Sequence, residues 1–211
     1  MNLSIILIII LFVTLIYYLK SQLYDFNTSN FVKSMIDKVE TRNSVFNKTL
    51  LRADHLFDEK DYRKAEQFYL KALSLNDKNA HCFNRLGVIY NRHGHHQDAL
   101  ISFEHAVKLN PIANNYHNLG LTQLTLHSFH DAISSLSSAL TEQKKPSIYL
   151  AIAKAHSSLG DLASQISVLE TAITELPDSL SLHNALLEAY QAQSDTRQVA
   201  AIKAKIKKLK G

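Results

Sequence analysis

Apolar side chains fall along this chain in two regimes. From Leu3 to Leu19 they are almost unbroken, with only Ser4 and Thr14 intervening, and further on they recur at helical spacing in repeated blocks. As a helix the first run covers about 26 Å, near the short end of what crosses a hydrocarbon core. Tyr17 and Tyr18 close it with rings suited to the headgroup layer, and Lys20 can snorkel beyond them. No basic residue precedes the run and no Ala-x-Ala follows it, so the pattern predicts an uncleaved single-pass transmembrane anchor over residues 1–20 rather than a signal peptide. The nearest cations, Lys20, Lys33, Lys38 and Arg42, all follow the anchor. That bias places the rest of the chain on the cytoplasmic side.

Residues 21–45 join the anchor to the blocks. Asp25-Phe26-Asn27-Thr28-Ser29-Asn30 reads as a short flexible joint ending in capping side chains. Beyond it Val32, Ile36, Val39, Asn43, Phe46, Leu50, Ala53 and Phe57 follow at spacings of 3 and 4. This stripe predicts a long helix whose early turns pack on the first block. Its alternative use is a short coiled coil that would make a homodimer, with Asn43 setting the register.

The blocks are an internal repeat. Counting from Gly87, Tyr90 follows after 3 residues, Gly94 after 7, Ala99 after 12, Phe103 after 16, Ala106 after 19 and Pro111 after 24. The same offsets give Ala65, Tyr69 and Ala72 from Ala53, and Ala132, Leu136 and Ala139 from Gly120. From Ala153 they give Gly160, Leu169, Ala172 and Pro177, with Gln165 in place of the expected alanine. A degenerate fifth unit starts from Leu187, with Tyr190, Val199 and Ile206, and the five anchors lie 34, 33, 33 and 34 residues apart.

This spacing closely resembles the tetratricopeptide-repeat (TPR) signature. The resemblance covers residues 46 to 211, in units 46–79, 80–112, 113–145, 146–179 and 180–211. Small residues at the anchor and 12 and 19 positions on let two antiparallel helices approach, and a bulky residue after 16 fills the space toward the next unit. Pro111 and Pro177 stop second helices, whereas Pro146 opens a first helix. The helices are expected at 46–58/62–75, 80–92/96–109, 113–126/129–141, 146–158/162–175 and 179–192/195–209. The implied fold is all-α: a TPR-type α-solenoid, a right-handed superhelix preceded by one transmembrane helix, with the first helix of each pair lining a concave groove.

The resemblance also implies the site. TPR grooves bind peptides, and superposing the units points Asn47, Leu50 and Asp54 inward, then His81, Asn84, Val88 and Asn91, then Asn114, His117 and Leu121, then Leu150 and Lys154, and finally Asn184 and Glu188. Amide side chains suit such a groove because they both donate to and accept from a peptide backbone. These side chains are expected to project away from the helix–helix contacts, so that their loss changes stability little. The clamp that chaperone-binding members use for a terminal carboxylate would begin here with Leu50 and Asp54, and is absent.

Charge and chemistry add little more. The net charge of +4 rests on Lys203, Lys205, Lys207, Lys208 and Lys210; without these five it is 4 − 5 = −1, which argues against a nucleic-acid-binding face. These lysines cover one side of a last helix whose other side is Val199, Ile202, Ile206 and Leu209. The single Cys82 excludes an internal disulfide framework. His93, His95 and His96 in one turn, and His127 and His130 in the next, are expected as solvated turn residues, without the fixed rotamers a metal site needs. No Gly-rich phosphate loop, HExxH, Cys pair or Gly-x-Ser-x-Gly occurs. The expectation is therefore a non-enzyme without cofactor, acting on a protein or peptide partner. It resembles bacterial single-pass membrane-anchored TPR proteins, which act as scaffolds or adaptors at the inner membrane. A periplasmic assembly chaperone of opposite topology, or a homo-oligomeric membrane scaffold, is the alternative.

Overall fold

The computed structural model describes residues 3–210, with the side chains of residues 3–7 and 9 outside the description. The described residues form ten helices. In chain order these are α1 (Leu3–Asp58), α2 (Tyr62–Leu75), α3 (Ala80–Arg92), α4 (His96–Leu109) and α5 (Ala113–Thr125), followed by α6 (Phe129–Leu140), α7 (Pro146–Ser158), α8 (Leu162–Glu175), α9 (Leu180–Ala192) and α10 (Thr196–Leu209). From α2 onward every boundary falls within one residue of its expected place.

Local chemistry explains that agreement. The carboxylates of Asp61, Asp161 and Asp195 occupy the same place in three units and cap α2, α8 and α10 by accepting from the backbone N–H of Lys64, Ser164 and Gln198. One residue before this place the backbone turns left-handed in all five units, at Lys60, Gly94, His127, Gly160 and Ser194. Only two of these are the glycine such a conformation favours, so repeat geometry overrides residue preference at the other three.

Packing follows the small–large alternation. Ala65, Ala99 and Ala132, then Ala72, Ala106, Ala139 and Ala172, are fully buried, and so are Tyr69, Leu136 and Leu169. A Cβ on Gly87 would lie 2.7 Å from the Phe103 ring, and one on Gly120 would lie 2.6 Å from Leu136 Cγ, so both anchors are glycine because the facing side chain fills that space.

Two departures matter. The expected joint at residues 25–30 is helix: α1 runs unbroken for 56 residues, with no glycine or proline in it. Thr28 Oγ1 donates back to the carbonyls of Tyr24 and Asp25 instead of capping a new helix. Val32, Ile36 and Val39 are exposed on this helix, and the stripe meets α2 only from Phe46 onward. Among the described residues no helix is long and apolar enough to cross a membrane. Several side chains of the expected anchor, Leu3–Leu19, lie outside those residues.

The solenoid ends are polar. Cys82, Leu86 and Ile89 of α3 are buried toward the first unit, and their equivalents in α1, Lys48, Arg52 and His55, are exposed. At the other end Lys203 takes the place held by Phe103 or Leu169 in inner units. Between these ends α3 touches α5, α5 touches α7 and α7 touches α9, while the second helices make no comparable contact with one another. First helices therefore form the inner wall.

Candidate functional site

Three clefts follow one another along this wall. The first, of about 400 Å³, sets His81, Asn84 and Arg85 of α3 against Asn114, Asn115 and Asn118 of α5. The second, of about 330 Å³, lies further along the same pair of helices between Val88, Asn91 and Arg92 on one side and Asn118 and Leu121 on the other. The third, of about 370 Å³, passes to the next seam, where Leu121, Leu124 and Thr125 face Ser147, Leu150 and Lys154. Eight expected site residues line this path: His81, Asn84, Val88, Asn91, Asn114, Leu121, Leu150 and Lys154. Asn47 on α1 and Asn184 and Glu188 on α9 are exposed beyond its ends, and His117 is half-buried and lines none of the clefts.

Several of these side chains are also structural, which corrects the expectation that they leave the helix contacts free. Asn84 Nδ2 donates to Asn115 Oδ1 at 2.7 Å, and Asn91 Nδ2 donates to Thr122 Oγ1 at 2.7 Å. Asn115 and Thr122 sit where the neighbouring units bury apolar residues such as Ile148 and Ala155, so the seam between the second and third units is partly a polar ladder. Asn115 Nδ2 in turn donates to the Asn110 carbonyl at 2.7 Å. Asp54 is likewise engaged: one carboxylate oxygen accepts from the Tyr69 hydroxyl at 2.6 Å and meets His81 Nε2 at 2.6 Å. Burial, and then that carboxylate, push the Tyr69 hydroxyl far above its usual titration range.

The ladder carries a prediction. Asn91→Ala should cost about 1 kcal/mol, and a cycle with Thr122→Val should show coupling of similar size. Urea unfolding of the four proteins measures this, and additive losses would mean that the bond contributes nothing.

Residues the superposition overlooked carry most of the charge. Arg85 lies with its guanidinium 4.4 Å over the Phe57 ring and Arg92 4.8 Å over the Tyr62 ring. Asn118 joins the first two clefts. These positions stand 2 residues before or 5 after the anchor glycines, offsets the repeat pattern itself repeats (Arg85 with Asn118, Arg92 with Thr125), but their aromatic platforms come from the preceding unit and are invisible in linear sequence.

Titration in the wall centres on His117. Burial, and then the Lys145 ammonium, lower its pKa from the ordinary 6.5, and its Nε2 is buried without a hydrogen-bond partner. The unfolded chain therefore takes up this proton more readily than the folded one. The contribution of His117 is intact above pH 6.5 and is lost as pH falls below it. Unfolding free energy measured from neutral pH downward should drop less steeply in His117→Gln than in the wild type, and equal slopes would contradict the assignment.

Other candidates recede. Burial raises the Cys82 thiol to about 12, which keeps it protonated at neutral pH. In the histidine turns, His93 and His95 meet edge to face and His96 Nδ1 pairs with Asn91 Oδ1 at 3.0 Å. Among the described residues no group of three or more His, Cys, Asp or Glu could hold a metal ion.

These helix pairs, stacked with a shared inner wall, define an α-solenoid of helical repeats. Family models described as tetratricopeptide repeat match residues 68–101, and residues 50–79 and 146–177. With the fold, these matches make the chain a tetratricopeptide-repeat protein. A crystal structure of MamA is similar over 75% of this chain and 94% of its own, at 21% identity and TM-score 0.69. MamA 41-end from Desulfovibrio magneticus RS-1 covers 78% of this chain and 94% of its own, at 15% identity and TM-score 0.70. YrrB, described as a TPR protein with an unusual peptide-binding site, covers 76% of this chain and 84% of its own, at 17% identity and TM-score 0.66. At these identities the likeness is one of fold. No curated protein matches the chain in sequence.

Proposed function

We propose that this chain is a non-enzymatic protein-binding scaffold, that its inner wall captures an extended segment of a partner polypeptide, and that Leu3–Leu19 anchors it in a bacterial inner membrane with the repeats on the cytoplasmic side. The observation that carries the binding reading is the line of three clefts across α3, α5 and α7. Amide groups able to donate and accept line the first two clefts, and Val88, Leu121, Leu124 and Leu150 line the second and third. That mixture suits a peptide, whose backbone needs hydrogen bonds and whose side chains need apolar pockets. Support for the anchor comes from the sequence of the run, and from the exposure of Leu11, Phe12 and Leu15 among the described residues. Anchoring gives such a scaffold a role without chemistry, because a captured partner is concentrated at the bilayer.

Leu121→Arg combined with Leu150→Arg tests the groove. Both side chains line clefts on the wall, so the charged pair should lower recovery of crosslinked partners by at least roughly tenfold, a loss well within the range of interface hot spots. Ile101→Arg on α4, where the residue is also exposed, should leave recovery unchanged. Equal recovery from all three proteins would place binding elsewhere.

A further inference from the structure

We infer that the segment bound in the groove is acidic, read through side-chain carboxylates by Arg85 and Arg92; this rests on the peptide-binding reading above. The chain carries 19 Asp and Glu residues, and none lies on α3, α5 or α7. The charged side chains that these helices contribute to the clefts are Arg85, Arg92 and Lys154, all cationic. Of the neighbouring first helices, α9 carries the exposed Glu188 and α1 brings Asp54 beside Arg85, and the Asp54 oxygen turned toward Arg85 already accepts from Tyr69 and meets His81. Arg85 Nε stands 4.0 Å from that oxygen, beyond hydrogen-bond distance.

The two arginines are held for this task. Each guanidinium carbon stands over an aromatic ring of the first unit, 4.4 Å from the Phe57 centroid for Arg85 and 4.8 Å from the Tyr62 centroid for Arg92. A guanidinium stacked on such a ring keeps the N–H groups of its edge for other partners. A planar fork presented edge-on matches a carboxylate in two parallel hydrogen bonds. Stacking also fixes side chains that would otherwise lose rotamer freedom on binding. Seven residues separate them, so they share one face of α3 about 10 Å apart. An extended peptide in the polyproline II conformation rises about 3.1 Å per residue with about three residues per turn, so carboxylates three positions apart fall on one side and span about 9 Å, close to the same distance. Val88 lies between the arginines and Leu121 opposite, which suits apolar residues between the two acids. The partner motif is therefore acid–apolar–apolar–acid inside an extended segment, with no free terminus required.

The test uses the full chain in non-ionic detergent and a fluorescent peptide containing Glu-Leu-Leu-Glu, acetylated and amidated at its ends. Fluorescence anisotropy should show binding at least about tenfold tighter than to the Gln-Leu-Leu-Gln isostere, with the preference shrinking as salt rises. Arg85→Gln with Arg92→Gln should remove that preference, while Arg85→Lys with Arg92→Lys, which keeps charge but loses the fork, should retain part of it. Thermal melts of both double variants identify any loss that comes from unfolding, and the lysine pair then decides. If the two peptides bind equally, or the glutamine variant keeps the preference through other cations such as the α10 lysines, the inference fails while the groove reading stands. Absence of binding by either peptide also overturns it, and the Leu121/Leu150 experiment then decides the groove reading separately.

Discussion

Phe103→Ala should destabilise the protein by about 3–5 kcal/mol and uncouple the second unit from the third. The ring is 1% exposed and packs with Leu119 of the following unit, with Val88, Tyr90 and Val107 around them. On its other side it fills the space that a Cβ on Gly87 would enter. Truncation thus opens a cavity at the junction that carries order from one unit to the next. Urea unfolding followed by circular dichroism measures the loss. The same contact predicts its own reversal. Gly87→Ala in the wild type overfills the site and should cost about 1–3 kcal/mol, but in the Phe103→Ala background that cost should disappear. Additive effects would mean that the two residues do not share this space.

Removal of residues 2–20 should release the chain from membranes completely. Thirteen Leu, Ile, Phe and Val side chains lie between Leu3 and Leu19. Each favours insertion by about 0.3–0.6 kcal/mol at a helix centre, about 4–8 kcal/mol in sum, and no charge opposes them. The full chain should resist alkaline extraction of the membrane fraction, and the truncated chain should appear in the supernatant. A reporter active only in an oxidising compartment, fused after Gly211, should stay silent if the cations following the anchor set the topology. A full chain washed off by carbonate would refute the anchor, and an active fusion would reverse the orientation. Because α1 continues without a break into the first unit, an inserted anchor would hold the solenoid on a helical stalk rather than a flexible tether.

The repeat was legible in sequence because its constraints are local and recur. Small residues at Ala65, Ala99 and Ala132, large ones at Tyr69 and Phe103, and prolines past helix ends each leave a mark at a fixed offset. The helical joint at residues 25–30 was misread because Asp, Asn, Ser and Thr favour caps only where something ends a helix, and nothing between Leu3 and Asp58 does. The wall was legible in outline, since eight of its lining residues follow from superposing the units. What escaped was pairing between units. Asn84 reaches Asn115 and Asn91 reaches Thr122 across 31 residues of chain, and Arg85 and Arg92 rest on Phe57 and Tyr62. A residue's role on a solenoid depends on which neighbour it meets, and repeat spacing alone gives only its direction.

The central claim is that partners lie along the inner wall, and site-specific photocrosslinking in intact membranes addresses it most directly. A photoreactive residue at Leu121 or Leu150 should yield a discrete adduct with a second polypeptide, and the same residue at Ile101 on α4 should yield none. Adducts from Ile101 alone, or equal adducts from all three positions, would contradict the account.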